Sequence, residues 1–248
     1  MSNGNLALAR AFVLTACMVA SGGCDIGAAH SEESRTPEVR YRIDSARNRI
    51  WVLTEGRVML YDITASKTIA VSLPEWVQAG KAYGCLPDLA LGPKGEAVIT
   101  SNAVPTLWRI HPETLAVTVH PLALDADTDK DVGFSGLAYS AQHGAFFAVS
   151  YAHGSLWRID PLFGRAQKIE LSEPIQGACG LAVRPRATQP SRVPQESIGR
   201  PGGLCVRTAQ EVWEIDFAPS QRSAYVTARV RAGIRFPPFN DAGQEACG

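Results

Sequence analysis

Leu107-Trp108-Arg109-Ile110-His111-Pro112 returns further along the chain as Leu156-Trp157-Arg158-Ile159-Asp160-Pro161. Looser forms stand at Leu60-Tyr61-Asp62-Ile63-Thr64 and at Val212-Trp213-Glu214-Ile215-Asp216. Each copy alternates apolar and polar side chains, the period of a half-buried strand. A repeat of this kind sets the architecture before any single residue does.

Outward from each copy the surroundings repeat too. In the second unit, Leu89-Ala90-Leu91, a Gly92-Pro93-Lys94-Gly95 turn and Ala97-Val98-Ile99-Thr100 precede the phrase, and Ala116-Val117-Thr118-Val119 follows it. The third unit, Phe134 to Leu171, repeats the plan with Leu137-Ala138-Tyr139, a turn at Gln142-His143-Gly144, Phe146-Phe147-Ala148-Val149 and Gln167 to Leu171. The first, Val39 to Leu73, offers Tyr41-Arg42-Ile43, Arg49 to Thr54, Arg57 to Ile63 and Thr68 to Leu73. Aligning Tyr61, Trp108 and Trp157 gives spacings of 47 (108−61) and 49 (157−108), the length of one four-stranded propeller blade. One such sheet cannot cover both of its own faces, so neighbours must stack face to face. The expected fold is all-β and β-propeller-like, with four readable four-stranded blades that form a small ring, an open one, or one completed by dimerisation. Trp108 and Trp157, at equivalent positions, are expected to fill the layers between blades.

The fourth unit departs from the plan. Between Gly180-Leu181-Ala182-Val183 and Leu204-Cys205-Val206-Arg207 lies a stretch, 185–202, with Pro185, Pro190, Pro194 and Pro201 among several arginines. Residues that cannot donate to a ladder and have no apolar period read as a long surface loop. The Phe236-Pro237-Pro238-Phe239 tail is expected to pack on the outside.

Composition bounds the rest. A chain of 248 residues, 46% hydrophobic, is long enough for one full core. Lys plus Arg (24) balance Asp plus Glu (24), so the charge carries no footprint for nucleic acid. Residues 1–23 have the order of a secretory signal: a polar start with Arg10, the apolar run Ala11 to Ala20, then Ser21-Gly22-Gly23. Ten apolar residues are too few to span a bilayer of about 30 Å. Small residues directly before Cys24 resemble a bacterial lipobox, which implies lipidation of Cys24, with Ser21 where that box usually has Leu. Ordinary cleavage near Ser21 to Gly23 is the alternative, and both place the domain outside the cytoplasm. Residues 24–38 read as a tether, 39–235 as the propeller domain and 236–248 as a tail.

Four cysteines remain in the domain: Cys85, Cys179, Cys205 and Cys247. An even set in an exported chain suggests disulfides, and three pairings are open. Cys85 and Cys179 each stand just before a Leu-Ala strand start, near one rim of the fold. Cys247 would gain most from a bridge, since it would pin a fraying tail.

The [Trp/Tyr]-x-Ile-[Asp/His] strand, its turn and the preceding Gly-Leu-Ala-type strand resemble the repeats of bacterial extracytoplasmic β-propellers of the YVTN/NHL/quinoprotein-like group, over roughly residues 40 to 230. That resemblance implies an exported lipoprotein of this fold. It says little of activity, since one scaffold hosts many functions.

The search for chemistry finds little. Gly133-Phe134-Ser135-Gly136 has the wrong spacing for a nucleophile elbow, and no Walker, dinucleotide or HExxH motif occurs. The histidines are scattered; His111 stands where Asp160 stands in the next copy, and His143 falls at a turn. Asp125, Asp127, Asp129 and Asp131 alternate like the start of a calcium loop, but Lys130 and Gly136 occupy the positions where an EF-hand needs Gly and Glu. A weaker Ca²⁺ site there is the one cofactor the spacing allows; none other is expected. The reading is a non-catalytic binding or scaffold protein of the cell envelope, with an envelope protein or small ligand at the propeller rim, a lipid anchor as the sole membrane contact, no nucleic acid, and a homodimer as one route to closure. The alternative is a lactonase-like metal-dependent hydrolase, for which Asp88 and Asn102 are the nominees.

Overall fold

The computed structural model describes residues 39–79, 84–125, 133–184, 202–220 and 222–231. The leader, the tether, Asp127, Asp129, Asp131, the Pro/Arg-rich segment up to residue 201 and the tail with Cys247 lie outside these residues.

All regular structure described is β. Blade 1 is β1 (Arg40–Asp44), β2 (Arg49–Leu53), β3 (Val58–Asp62) and β4 (Lys67–Val71), hydrogen-bonded in that order. Blade 2 is β5 (Leu89–Leu91), β6 (Ala97–Thr100), β7 (Thr106–Ile110) and β8 (Val117–Pro121). After the two-residue β9 (Ala123–Leu124), blade 3 is β10 (Gly136–Ser140), β11 (Ala145–Val149), β12 (Leu156–Ile159) and β13 (Arg165–Leu171). Blade 4 is β14 (Gly180–Val183), β15 (Leu204–Arg207), β16 (Glu211–Phe217) and β17 (Ser223–Arg231). Every pairing within a blade is antiparallel, the meander the turn residues predict. The fold is the expected β-propeller, with four blades among the described residues.

The terminal residue of the repeated phrase explains itself. Asp62 Oδ1 accepts the Ala65 N–H at 2.9 Å, and Asp160 accepts from Leu162 and Arg165 at 2.8 and 3.0 Å. His111 does the same work with Nδ1, which accepts from Glu113 and Thr114 at 3.2 Å each. The side chain caps a turn that then passes through positive φ, at Ser66 (51°), Leu115 (57°) and Phe163 (56°). Aligned on these caps, the period is 49 residues in both steps (111−62 and 160−111).

This corrects the register read from sequence in blade 1. Tyr61 matches Ile110, not Trp108, and Met59 occupies the Trp108 position. In blade 4 Trp213 pairs with Val206 as Trp108 pairs with Ile99, so it keeps the Trp108 position, and its strand runs two residues further before the turn at Ala218, whose N–H donates to Ser223 O at 2.9 Å. A slip of two residues leaves every side chain on its original face, so alternation alone cannot detect it.

The blades stack through three apolar layers. Trp51, Leu53, Val58, Leu60 and Val71 of blade 1 meet Leu89, Ala97, Ile99, Trp108 and Ile110 of blade 2. The other face of blade 2, with Val98 and Leu107, meets Phe134, Phe146, Ala148, Trp157 and Ile159 of blade 3. Phe147, Val149, Leu156 and Ile169 then meet Leu204, Val206, Trp213, Ile215 and Phe217 of blade 4. Trp108 and Trp157 are 1% and 0% exposed, in the first and second layers as expected. The indole N–H of Trp108 reaches Pro74 O at 2.7 Å and that of Trp157 reaches Ser155 Oγ at 2.8 Å, so neither ring strands a donor. Blades 3 and 4 are further joined at their outer edges, where Glu170 and Leu171 pair in parallel with Ser223 and Ala224. β9 covers the other end of β13 in the same way, through Ala123 and Leu124.

Candidate functional site

The first position of the innermost strand in each blade can be identified by its partner. Arg40 pairs with Leu53, Gly136 with Val149 and Gly180 with Arg207, while the Thr100 N–H bonds Asp88 O at 3.0 Å. Leu53, Thr100, Val149 and Arg207 each pair in turn with the first residue of the repeated strand: Val58, Leu107, Leu156 and Val212. The four equivalent positions around the axis therefore hold Arg40, Asp88, Gly136 and Gly180. One base, one acid and two glycines replace the apolar residues that a repeat would predict.

These four residues close the axis. Arg40 Nη1 lies 3.1 Å from Asp88 Oδ1 and donates to Ser135 O at 3.2 Å, and its Nη2 donates to Cys179 O at 2.7 Å. A single side chain from blade 1 thus reaches blades 2, 3 and 4. Asp88 answers with both oxygens: Oδ1 takes the Leu89 N–H at 2.8 Å and Arg42 at 3.4 Å, and Oδ2 takes the Leu137 N–H of blade 3 at 2.8 Å. Arg40 is 3% exposed and Asp88 0%. A buried pair of this kind is sustained only with further hydrogen bonds, and here both Nη atoms of Arg40 and both oxygens of Asp88 have them. Glycine at 136 is required by space. A Cβ on Gly136 would stand 2.9 Å from the Gly180 carbonyl carbon and 2.7 Å from a Val149 methyl.

Above this cluster Cys85 and Cys179 form a disulfide, with Cα atoms 5.4 Å apart and 94 residues between them in sequence. It joins the entry of blade 2 to the entry of blade 4 across the axis, skipping blade 3. Cys205 is also disulfide-bonded. Ser135, on the misplaced GFSG stretch, is no nucleophile: its hydroxyl lies 2.5 Å from Ala178 O and 3.2 Å from Val149 O, tying blade 3 to blade 4.

The nominees for metal chemistry are spoken for. Asn102 donates to Cys85 O at 2.8 Å and accepts from the Ala79 N–H at 2.9 Å, and both oxygens of Asp88 are bonded within the protein. Among the described residues no three His, Cys, Asp or Glu side chains converge as a metal site. Asp125 is the one described member of the acidic run, and its Oδ1 takes the Lys168 N–H at 3.0 Å. His143 lies in the layer between blades 3 and 4, its ring 5.5 and 4.8 Å from those of Phe147 and Phe217. Burial, with Arg158 adding to it, holds its pKa below the usual histidine range. Burial also lowers that of His120, which packs 5.1 Å from Phe163 and feels Arg109.

Sequence reading missed Arg40. The signal was available, since Asp88, Gly136 and Gly180 head matching strands and a lone charge beside them asks for its partner. What could not be read is that the strands approach closely enough for one arginine to span them.

No family model matches the chain, and no curated protein does. Among solved structures, an auxiliary nutrient binding protein from Bacteroides ovatus aligns with 79% of this chain and 42% of its own, at 11% identity and a TM-score of 0.53. One from Bacteroides thetaiotaomicron gives the same coverage and identity at 0.52. Virginiamycin B lyase from Staphylococcus aureus aligns over 76% of this chain and 53% of its own, at 14% identity and a TM-score of 0.48. The chain spans about half the length of these proteins or less. At such identities the likeness concerns the fold, which it shares with propeller-like proteins.

Proposed function

We propose that this chain is an exported, non-catalytic propeller that binds an envelope protein or a small solute at its rim. The observation that carries this reading is the filled axis. A propeller hydrolase needs carboxylates and amides converging on its channel with oxygens to spare, whereas here Arg40 and Asp88 are bonded across blades and Asn102 is bonded to Cys85 O and the Ala79 N–H. Among the described residues no group of three His, Cys, Asp or Glu side chains converges at the axis, which favours recognition at the blade ends and rim loops. Two of the proteins that share the fold are described as nutrient binders, which favours a small solute over a large one as the first class to try. The Cys85–Cys179 disulfide supports an oxidising compartment, and lipidation of Cys24 would hold the domain at a membrane face.

The experiment is a thermal-shift screen of the purified domain against sugars, amino acids and other small nutrients, with metal analysis on the same preparation. A ligand at a hundred times its Kd stabilises by about 2.7 kcal/mol, which a melting curve resolves readily. Stoichiometric metal whose removal by EDTA lowers the Tm, together with turnover of a lactone or ester, would overturn the non-catalytic reading.

A further inference from the structure

Two different kinds of bond meet at the same cysteines. Arg40 Nη2 donates to Cys179 O at 2.7 Å and its Nη1 lies 3.1 Å from Asp88, while Cys85, three residues before Asp88, is bonded through sulfur to Cys179. Arg40, Asp88, Cys85 and Cys179 therefore form a closed circuit at the axis, ionic on one side and covalent on the other. Each cysteine backbone is also held without the help of its sulfur. Asn102 Nδ2 donates to Cys85 O at 2.8 Å, and the Cys179 N–H donates to Arg207 O at 2.7 Å.

Blade 3, which the bridge skips, enters the circuit twice. Asp88 Oδ2 takes the Leu137 N–H at 2.8 Å, and the ring of Tyr151, just beyond β11, packs beside the chain leading into each cysteine. Gly84 and Gly177 stand there at φ of 81° and 72°; a Cβ on Gly84 would run into the Tyr151 ring, and one on Gly177 would lie 3.8 Å from it. How firmly a dithiol pair stays oxidised depends on how close its thiols remain once the bond is open, which is their effective concentration. Across a separation of 94 residues the chain alone would let them drift apart. The hydrogen bonds to Cys85 O and Cys179 O keep them together.

We infer that the Cys85–Cys179 bridge and the Arg40–Asp88 latch are one coupled device: the latch keeps the two thiols facing each other in the reduced protein, so the bridge resists reducing thiols, and the bridge in return holds the latch shut. The coupling is reciprocal, because both close the same circuit and each lowers the free energy of forming the other. Reduction by a dithiol proceeds in two exchanges. Its thiolate attacks one sulfur and the other sulfur leaves as a thiolate; the second thiol of the reagent then displaces the first sulfur and closes a cyclic disulfide. Two electrons and two protons pass to Cys85 and Cys179, and Arg40 takes no part in the exchange itself.

The test is a redox titration of the full chain in mixtures of reduced and oxidised dithiothreitol, with thiols trapped by alkylation and the Cys85 and Cys179 peptides weighed, so that Cys205 does not contribute. Arg40→Met and Arg40→Lys should be half-reduced at about a tenfold lower ratio of reduced to oxidised reagent than wild type. Phe146→Leu, in the layer between blades 2 and 3, should keep the wild-type ratio. In the converse arm, hydrogen exchange on reduced wild type should show the Leu137 N–H about tenfold faster than in the oxidised protein. The Gly92 N–H, bonded to Glu96 O at 2.8 Å in the blade 2 hairpin, should be unchanged. Wild-type ratios in both Arg40 variants would overturn the inference, as would a Phe146→Leu shift as large as theirs, which would mean that the bridge reports only overall stability. So would Leu137 exchange that reduction leaves unaltered, and this arm decides alone if neither Arg40 variant folds.

Discussion

The layers between blades and the axis where the blades meet are built on opposite rules. In the layer between blades 2 and 3, Phe134 and Trp157 meet edge to face at 6.4 Å and Phe146 and Phe163 at 5.2 Å, all from apolar positions that the repeat supplies. At the axis the repeat is broken: equivalent positions hold Arg40, Asp88, Gly136 and Gly180. Stacking needs only hydrophobic area, which is non-directional and can be repeated in every blade. Joining the blades at the axis needs unlike partners at defined places, because four identical side chains could neither fit nor pair there. The difference teaches that repetition makes blades, and departure from repetition joins them.

The sharpest way to break the comparison is to empty each region in turn. Trp157→Ala should cost about 3–5 kcal/mol, the value for a large aromatic removed from a packed core. Asp88→Asn should cost about 3 kcal/mol, since it leaves the Arg40 guanidinium buried without its charge partner. Urea unfolding measures both; an Asp88→Asn protein as stable as wild type would show that the axis is incidental to the fold. Gly136→Ala should cost about 1–3 kcal/mol by overpacking against blade 4, although the same change on an exposed strand favours stability.

A pH series sharpens the contrast from the layer side. The folded pKa of His143 is lowered by burial, so the unfolded chain binds more protons, and stability rises with pH across the window between the folded value and the unfolded value of about 6.5. Stability should therefore decline as pH falls below about 6.5, and His143→Gln should flatten that decline in urea titrations at successive pH values. The smallest effect is expected at the turn caps. His111→Asp restores the cap used at Asp62 and Asp160 and should change stability by a few tenths of a kcal/mol, in either direction, measured as a shift in Tm.

Much of the fold is legible in the chain. Period-2 runs between turn residues mark the strands of all four blades, and Trp108 and Trp157 announce the layers they fill. The slip of Tyr61 shows the limit: a two-residue shift preserves facing, and only the turn caps fix the register. The site was legible in fragments, with Asp88 suspected for its chemistry and Cys85 and Cys179 placed on one rim, while Arg40 passed unremarked.

The sequence by itself determined the strands, the length of the repeat, which faces are apolar and that the cysteines suit an oxidising compartment, because each rests on local period or composition. Tertiary structure alone decided that Cys85 pairs with Cys179, that one arginine addresses three other blades and that Asp88 bonds Arg40 and the Leu137 N–H. Those facts depend on how tightly the stack curves, which is set by the packing of side chains distant in sequence and leaves no local trace.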